Sequence, residues 1–388
     1  MIRLSWAQVC ARRLERHALS TSARAQAGPE PDSAALAAVV SAMCGAHAQV
    51  ASAAELSVGL RVPGATRSLV RRALWTDRAL VKTRGARGTV HLLAAQDLPM
   101  WTGALSAMPV PPYEQGRDLL TPQQTDQVLA ALADALADAE LSTAELTEQV
   151  VARTGGWAGE RVMDAFQDKW PRWIAAMGAA TRAGVICFGP DRGRATTYTS
   201  PARWLPGFTP TTGPKALAEV VRRYLYAYGP ATPAQLARWL SVPAPWATKL
   251  FESLDLTPVT VGDTRAWVAA GDTDFPAGRP SGLRLLPYFD AYAVGCHPRD
   301  QLFPGRAADR ALARGQAGNY PVLLVDGTVA GVWHHRRSGR RIHVTVEPLR
   351  ALGAARRRAL QEQVERVGEV LEGVPSLTVG TVAVGPHA

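Results

Sequence analysis

The sequence predicts an α+β protein made of three tandem winged-helix units followed by a C-terminal α+β domain. One local order recurs three times: two or three amphipathic helices, a short strand, a glycine-containing turn and a second strand. After about residue 272 strand signals dominate, with one long helix. The chain has 388 residues, is 47% hydrophobic and carries a net charge of +10. It is long enough for several packed units, and its charge favours a polyanionic partner.

The first unit, residues 1–100, contains the clearest basic elements. Helices are predicted at residues 34–44 and 53–61, then a basic helix after Pro63-Gly64 and a hairpin over 79–94. A winged-helix unit places one helix in a DNA groove and lays its hairpin along the backbone. The predicted DNA contacts are therefore Arg67, Arg71 and Arg72 on the helix and Lys82, Arg84 and Arg87 in the hairpin. The alternative is an ordinary solvated basic face.

The second unit, residues 101–207, begins with a linker helix at 123–139 that is locally acidic and expected to be solvated. Ser142 is predicted to cap the next helix, and a hairpin follows at 186–200. The third unit, residues 208–271, has a helix over 215–229, a second helix starting at Thr232-Pro233, and a third helix. Its hairpin is predicted to turn at Gly262-Asp263.

The C-terminal domain, residues 272–388, carries a strongly basic hairpin. Strands are predicted over 283–295 and 320–348, a helix over 350–371 and a last strand over 377–384. The hairpin is expected to turn at Ser338-Gly339. Like charges at a hairpin tip repel one another unless an anion lies against them, which favours phosphate contact over a solvated tip. The predicted contacts are Arg336, Arg337, Arg340 and Arg341.

Several function classes are not favoured by the sequence. The four cysteines are far apart in apolar contexts, which predicts buried free thiols in a reducing cytoplasm rather than a metal site or disulfides. We find no dinucleotide-binding fingerprint or phosphate-binding loop, so no cofactor is expected. No apolar run approaches the ~18 residues of a spanning helix, and the first residues show no signal-peptide pattern. A soluble cytoplasmic protein, associated with the nucleoid, is expected.

Three separated segments resemble one family in order: RGARGTVHLLAAQDL (84–98), LLPYFDAYAVG (285–295) and GVWHHRRSGRRIHVTVEPL (331–349). The sequence is similar to the winged-helix DNA glycosylases typified by AlkZ and YcaQ. The resemblance implies three winged-helix motifs that form a basic concave DNA-binding surface. It also implies base excision from alkylated or cross-linked DNA, and the expected partner is double-stranded DNA that carries alkylated purines. The protein is expected to act as a monomer.

The resemblance further implies a catalytic signature of Gln-apolar-Gln, or Gln-apolar-Asp, shortly after the first long helix. This chain has His47-Ala48-Gln49 there, so Gln49 matches and His47 departs from the pattern. Glutamine at the second position matches the antibiotic-producer branch and suggests self-resistance to a genotoxic natural product. His47 and Gln49 share a face only in extended backbone, so we expect a strand-like segment with Ala48 turned to the core.

The residue types fit this chemistry. A purine alkylated at N7 is already cationic and leaves without a general acid, so water must be placed at C1′ and an oxocarbenium-like sugar stabilised. His47 is either a base for that water or a positioning group, and Gln49 would orient the water. The competing interpretation is that both residues only cap the helix of 34–44. Asp290, Tyr288, Tyr292 and Trp333 are weaker candidates for the same concavity, and His91 is predicted to be structural.

Two other functions remain open from the sequence alone. A non-catalytic winged-helix regulator or drug–DNA binding protein would share the basic surface and lack only the chemistry. A small-molecule hydrolase that kept only the fold is the third possibility. Release of free modified base from lesion-bearing DNA would distinguish a DNA glycosylase from both of these alternatives.

Overall fold

The computed structural model describes residues 2–20, 31–110, 119–164 and 168–385. The chain starts with strand β1 (Ile2–Leu4) and helix α1 (Trp6–Arg16). Ser5 begins α1 through a capping box with Gln8, in which each side chain accepts a hydrogen bond from the other residue's backbone N–H.

The first repeated unit follows the order helix, strand, helix, helix, hairpin. Its elements are α2 (Ser33–Ala42), β2 (Ala46–His47), α3 (Ala51–Gly59), α4 (Arg67–Trp75), β3 (Leu80–Arg84) and β4 (Val90–Ala94). The strands form a sheet in the order β2-β4-β3. The predicted helices and hairpin are confirmed within two residues at most ends, but β2 was only expected as an extended segment.

The second unit repeats this order with an added hairpin. Its elements are α5 (Leu98–Ala107), α6 (Pro122–Leu136), β5 (Leu141–Ser142), α7 (Thr143–Thr154), β6 (Arg161–Asp164), β7 (Lys169–Pro171), α8 (Met177–Arg182), β8 (Cys187–Phe188), β9 (Thr197–Thr199) and α9 (Pro201–Trp204). Ser142 caps α7 as predicted. The prediction of a solvated linker helix is wrong, because α6 buries Val128, Leu132 and Leu136 in the core of this unit.

The third unit is built the same way. Its elements are α10 (Gly213–Tyr228), α11 (Pro233–Leu240), α12 (Ala244–Glu252), β10 (Leu256–Val261) and β11 (Thr264–Ala269). Its hairpin turns at Gly262-Asp263 as predicted, since Val261 pairs with Thr264. An isolated bridge from Ala231 to Trp267 stands where the other units have a first strand. Strand β1 extends this sheet by pairing in parallel with β10, which the sequence did not indicate.

The C-terminal domain is a five-stranded sheet covered by one long helix. Its elements are β12 (Leu283–Leu286), α13 (Ala291–Gly295), α14 (Arg299–Leu302), α15 (Arg306–Ala311), β13 (Val322–Val325), β14 (Thr328–Ser338), β15 (Arg341–Pro348), α16 (Ala354–Leu371) and β16 (Val374–Val379). The strands follow one another in sequence order, and β16 pairs in parallel with β15. The strand predicted over 283–295 is confirmed at Leu283–Leu286 and is wrong in its second half, where Asp290 caps α13.

The C-terminal domain packs directly on the first unit. Leu56 of α3 lies in the apolar core formed by α16 and the five-stranded sheet. Arg366 of α16 donates hydrogen bonds to the carbonyls of Gly59, Val62 and Ala65, at 2.6 to 2.9 Å. These bonds fix the end of α3 and the entry to α4 against the C-terminal domain. Among the described residues, no helix is both long and apolar enough to cross a membrane.

Candidate active site

Strand β2 ends at His47, and Gln49, the second candidate catalytic residue, follows in a bend two residues later. Cys44 and Gly45 have positive φ angles of 59° and 101° and turn the chain from α2 into β2. A Cβ on Gly45 would lie 2.7 Å from Cδ2 of Leu93, so only glycine fits where β2 approaches β4. Ala48 is buried and its N–H donates to the carbonyl of Val90 at 2.8 Å, while Gln49 is exposed.

The extended segment that we expected for His47 and Gln49 is present only as far as His47, because the strand ends there and Gln49 lies in a bend. The end of α2 is closed by backbone bonds, such as Gly45 N–H to the carbonyl of Val40 at 2.8 Å. His47 belongs to a strand and lies against the hairpin of the first unit, so the interpretation of His47 and Gln49 as helix caps is not needed.

His47 is enclosed by two partners from the hairpin. Its ring lies 4.3 Å from that of His91, centroid to centroid, and the two residues are cross-strand neighbours. Its Nε2 is 3.3 Å from a terminal nitrogen of Arg87. Burial first, and then His91 and Arg87, hold the pKa of His47 well below its ordinary value. His47 is therefore neutral near pH 7.

The contact with Arg87 also fixes the tautomer of His47. A guanidinium donates hydrogen bonds and has no acceptor, so Nε2 must accept and the ring proton must be on Nδ1. While Arg87 occupies the Nε2 lone pair, that atom cannot take a proton from water. The arrangement favours a hydrogen-bond donor over a general base at this position.

Arg87 was expected to contact DNA from the hairpin, but it lies partly buried beside His47. It sits in the 3-10 turn Ala86–Gly88 with a φ of 59°. Its other terminal nitrogen donates to the carbonyl of Trp239 in α11 at 3.1 Å. Arg87 thus connects His47 to the third unit, and no sequence signal links residues 47, 87 and 239.

His91 is structural, as predicted. It is 2% exposed, and its Nδ1 lies 2.8 Å from the carbonyl of Thr89, which requires Nδ1 to donate. Burial first lowers the pKa of His91 to about 4, with Arg87 contributing and the Thr89 bond opposing. A second neutral ring therefore packs against His47 without adding charge.

The predicted basic helix, α4, has its arginines in ion pairs. Arg67 pairs with Glu372 at 3.2 Å, Arg71 with Glu55 at 2.7 Å and Arg72 with Asp77 at 3.0 Å. All three guanidiniums keep some exposure, and Arg72 is the most open. Phosphate contact at α4 would therefore compete with these carboxylates.

Lys82 and Arg84, the two other residues of the first hairpin that were predicted to contact DNA, are half-buried. The Lys82 ammonium lies 4.9 Å from the ring centre of Phe188, a cation–π distance that connects the first and second units. Arg84 donates to the carbonyl of Gly88 at 3.1 Å within its own turn. The second unit's Arg192 is paired with Glu145 at 3.0 Å.

The C-terminal basic hairpin leaves three of its four arginines open. Its turn is Gly339-Arg340, one residue later than predicted, because Ser338 pairs with Arg341 across the hairpin. Arg336, Arg340 and Arg341 are exposed, and their side chains form no hydrogen bond or ion pair with any described residue. Arg337 instead donates to the carbonyl of Leu371 at 2.6 Å and so anchors the hairpin to the end of α16.

The basic hairpin and α4 meet at Glu372. This residue follows α16 with a φ of 55°, and its carboxylate accepts from Arg67 and from the Ser68 hydroxyl at 2.7 Å. Its carbonyl lies 3.5 Å from Arg337. Two elements more than 250 residues apart thus share one side of the molecule.

Comparison with known proteins decides the family. The family model described as "DNA glycosylase AlkZ-like" matches residues 40–370. The chain belongs to the AlkZ-like DNA glycosylase family. It is 31% identical over 346 residues to an interstrand DNA cross-link repair glycosylase of Streptomyces sahachiroi, covering 86% of this chain and 88% of that protein. The solved structure of S. sahachiroi DNA glycosylase AlkZ matches with a TM-score of 0.77 at 26% identity, covering 98% of this chain and all of that one.

The protein is therefore a DNA glycosylase, a hydrolase of N-glycosyl bonds, with the mixed helix and sheet fold of the AlkZ structure. The non-catalytic regulator is not favoured.

Asp290 does not line the glycosylase's candidate site, contrary to our weaker expectation. Its side chain and that of Arg61 are both 0% exposed and form two hydrogen bonds of 2.8 Å. The Ser57 hydroxyl adds a third bond at 2.7 Å. Burial alone would raise the pKa of Asp290, but Arg61 and Ser57 bring it below its ordinary value. The carboxylate joins α3 to α13 as a charged structural group.

The aromatic candidates near Asp290 are mostly core. Tyr292 and Trp333 are buried and donate hydrogen bonds to the carbonyls of Gly327 and Leu286 at 2.9 and 2.8 Å, while Tyr288 is half-buried.

The four cysteines are buried free thiols, as the sequence predicted. Within the described ranges, no group of three or more potential ligands is placed to hold a metal ion.

Proposed function

We propose that this glycosylase hydrolyses the N-glycosidic bond of bulky N7-alkylated purines in DNA, with His47 and Gln49 at the reaction centre. The observation that carries the proposal is the end of strand β2, where Gln49 is exposed two residues after the buried His47 and Ala48 between them is buried. Burial, with His91 and Arg87, lowers the pKa of His47 and keeps its ring neutral. The matching signature position of Gln49 supports the same assignment.

His47 and Gln49 are uncharged and offer hydrogen-bond donors, which suits the proposed chemistry. The leaving group is a cationic base that departs as a neutral one, and positive charge develops on the sugar. A protonated histidine would repel that sugar, whereas neutral His47 adds no charge of its own. Gln49 accepts a hydrogen bond from the attacking water through its amide oxygen and directs it to C1′, and His47 keeps an Nδ1–H donor in the site. The bond from C1′ to the base nitrogen breaks, the base leaves with the electron pair as a neutral molecule, and the water oxygen bonds to C1′. The remaining water proton passes to bulk solvent, because neither Gln49 nor the occupied Nε2 of His47 takes it.

We propose that the three repeated units act as winged-helix motifs around a basic concave DNA-binding surface. The shared order of helix, strand, helix, helix and hairpin, with the first strand or bridge paired to the last strand, supports this. The open arginines of the C-terminal hairpin supply the most available charge. The protein would act as a monomer on double-stranded DNA, in the cytoplasm at the nucleoid.

We propose a biological role in self-resistance to a genotoxic natural product that alkylates DNA. The signature glutamine at position 49 and the named cross-link repair activity of the S. sahachiroi relative support this role. Interstrand cross-links formed through N7 of two purines belong to the same chemistry, since each cross-linked base is a cationic leaving group.

Release of free base tests the proposal. Duplexes carrying a bulky N7-alkylguanine, an N7–N7 cross-link or no lesion are incubated with the protein in excess chelator. We expect an alkali-labile abasic site in the first two duplexes only, with free adducted base from the N7-alkylguanine duplex. The first cleavage of the cross-link leaves the base attached to the opposite strand, so that reaction is followed by separation of the two strands. Release from undamaged DNA at the same rate, or none from either lesion, would contradict the proposed substrate. Activity that returns only with added metal would contradict the metal-free mechanism.

A further inference from the structure

A narrow cavity of about 30 Å³ borders Arg87, the residue that contacts His47. Its walls come from the turn of the first hairpin, the end of α5, α8 and the end of α11. Arg87 lies 3.3 Å from Nε2 of His47 and donates to the carbonyl of Trp239, near the end of α11, at 3.1 Å. A single side chain therefore links this cavity to the candidate catalytic histidine.

A wider cavity adjoins the narrow one. It has a volume of about 280 Å³, and both cavities are lined by Arg84, Gly178 and Arg182. The wider cavity lies between the start of α6, strand β6 and α8, where Met163 and Ile174 line it. Since three lining residues are shared, the two cavities form one continuous cleft along α8, which we call the α8 cleft.

The walls of the α8 cleft are mostly apolar and only partly covered. Leu105 and Met108 line the narrow cavity, Met163 and Ile174 line the wide one, and all four residues are half-buried. Apolar surface that remains in contact with water is stabilised when an apolar ligand covers it. An apolar cavity of about 150 Å³ can hold one benzene ring, so the wide cavity has room for about two rings.

The charged side chains along the α8 cleft are arginines. Arg84 and Arg182 line both cavities and Arg87 the narrow one, and among the described residues no aspartate or glutamate lines either cavity. Guanidinium groups stack on aromatic faces but repel positive charge. The cleft therefore suits a planar aromatic group that carries no positive charge of its own.

The proposed substrate carries its bulky group beside the bond that breaks. N7 belongs to the same five-membered ring as N9, which bears the sugar, so a substituent on N7 starts close to C1′. We propose that the α8 cleft binds this substituent, and that it accepts a planar aromatic group of about two rings without positive charge. The inference rests on the proposed function, in which His47 and Gln49 act at C1′, and on the link from His47 through Arg87 to the cleft. The cleft then decides which alkylated purines are good substrates.

The test changes both the width of the cleft and the chemistry of the substituent. Ala179→Leu on α8 and Met163→Trp on β6 each place a larger side chain at the wide cavity. Ala133→Leu makes the same change on the exposed face of α6 and is the matched control. Three duplexes carry a non-cleavable lesion nucleotide with a methyl, a naphthylmethyl or a trimethylammoniohexyl group on N7. Fluorescence anisotropy measures the dissociation constant for each protein and duplex, and melting temperatures accompany every variant.

We expect the unaltered protein and Ala133→Leu to bind the naphthylmethyl duplex about tenfold more tightly than either of the other two. Ala179→Leu and Met163→Trp should lose most of that preference, because the aromatic group no longer fits. The inference is overturned if the unaltered protein binds the three duplexes equally, or if the cleft variants keep its preference. Should one cleft variant lower the melting temperature, the other decides. Base release from cleavable lesions is assayed separately, so its absence would contradict the proposed function while the binding comparison still decides the role of the cleft.

Discussion

Arg87 donates a hydrogen bond to Nε2 of His47 at 3.3 Å, from a turn that lies 40 residues further along the chain. Because arginine has no acceptor, the bond holds His47 in the Nδ1–H form and occupies its basic nitrogen. His47, which stands where the family signature has glutamine, can therefore donate a hydrogen bond as a glutamine amide does. Arg87 is a positioning residue in this arrangement.

The rate of base excision should be independent of His47 titration near neutrality. The pKa of His47 is held well below its ordinary value by burial and by its neighbours, so the ring gains a proton only in acid and is neutral around pH 7. Single-turnover excision rates measured from pH 6 to 8.5 should be flat. A rise centred near pH 6.5 that disappears in His47→Gln would show instead that His47 acts as a base.

Substitution of Gln49 should reduce chemistry more than binding. Its side chain is exposed, so Gln49→Ala leaves packing intact while removing the group that orients water. We expect a loss on the order of 10²–10³ in single-turnover rate, the usual cost of one positioned polar group, with lesion-DNA affinity nearly unchanged.

His47→Gln should keep part of the activity and His47→Ala little of it, because glutamine also offers a donor. His47 is buried, so melting temperatures must accompany the rates. Wild-type rates in both alanine variants would make the pair structural.

Substitutions of the four neighbouring arginines in the C-terminal hairpin should have different effects, some on DNA binding and one on stability. Replacing the open residues Arg336, Arg340 and Arg341 by alanine should weaken binding to any duplex and lower the salt slope by up to about 0.9 for each lost contact. Arg337→Ala should instead lower the melting temperature, because it breaks the bond to the carbonyl of Leu371. An unchanged salt slope in the triple variant would remove the hairpin from the DNA interface.

Local patterns in the sequence predicted the helices, hairpins and caps well, because each depends on neighbours a few residues away. Ser142 and the Gly262-Asp263 turn are examples. Of residues 47–49, which the sequence predicted to be extended, only His47 lies in a strand. The sequence could not predict that Arg87 turns inward to His47, or that Asp290 pairs with Arg61 across 229 residues. Those contacts depend on how distant units pack, and a local pattern carries no signal for them.

The protein should lose stability as the pH falls from about 6.5 towards 4. Burial lowers the pKa values of His17 and His297 to about 3 and of His91 to about 4, and that of His47 is also low. The unfolded chain binds protons at these histidines near pH 6.5 while the folded chain does not, so acid favours unfolding. Each such histidine contributes about 1.4 kcal/mol per pH unit within this window. Urea unfolding at pH 7 and pH 5 measures the difference, and equal free energies of unfolding would refute it.

Asp290→Ala should destabilise the protein by about 3–5 kcal/mol, because it leaves the Arg61 guanidinium buried without its counter-ion. Both side chains are 0% exposed, and the pair connects the first unit to the C-terminal domain. Asp134→Ala, which breaks the exposed pair with Arg153, is the matched control and should cost about 0–1 kcal/mol. Denaturant unfolding measures both.

The companion change is Arg61→Met with Asp290→Leu, which removes both charges. Replacing a buried ion pair by apolar side chains of similar size often costs little, so this double variant should recover much of the stability lost in Asp290→Ala. Excision should follow stability in all these variants, since Asp290 lies in the core and not at the strand of His47. A variant of Asp290 that folds with unaltered stability but loses base release would place this carboxylate in the catalytic site after all.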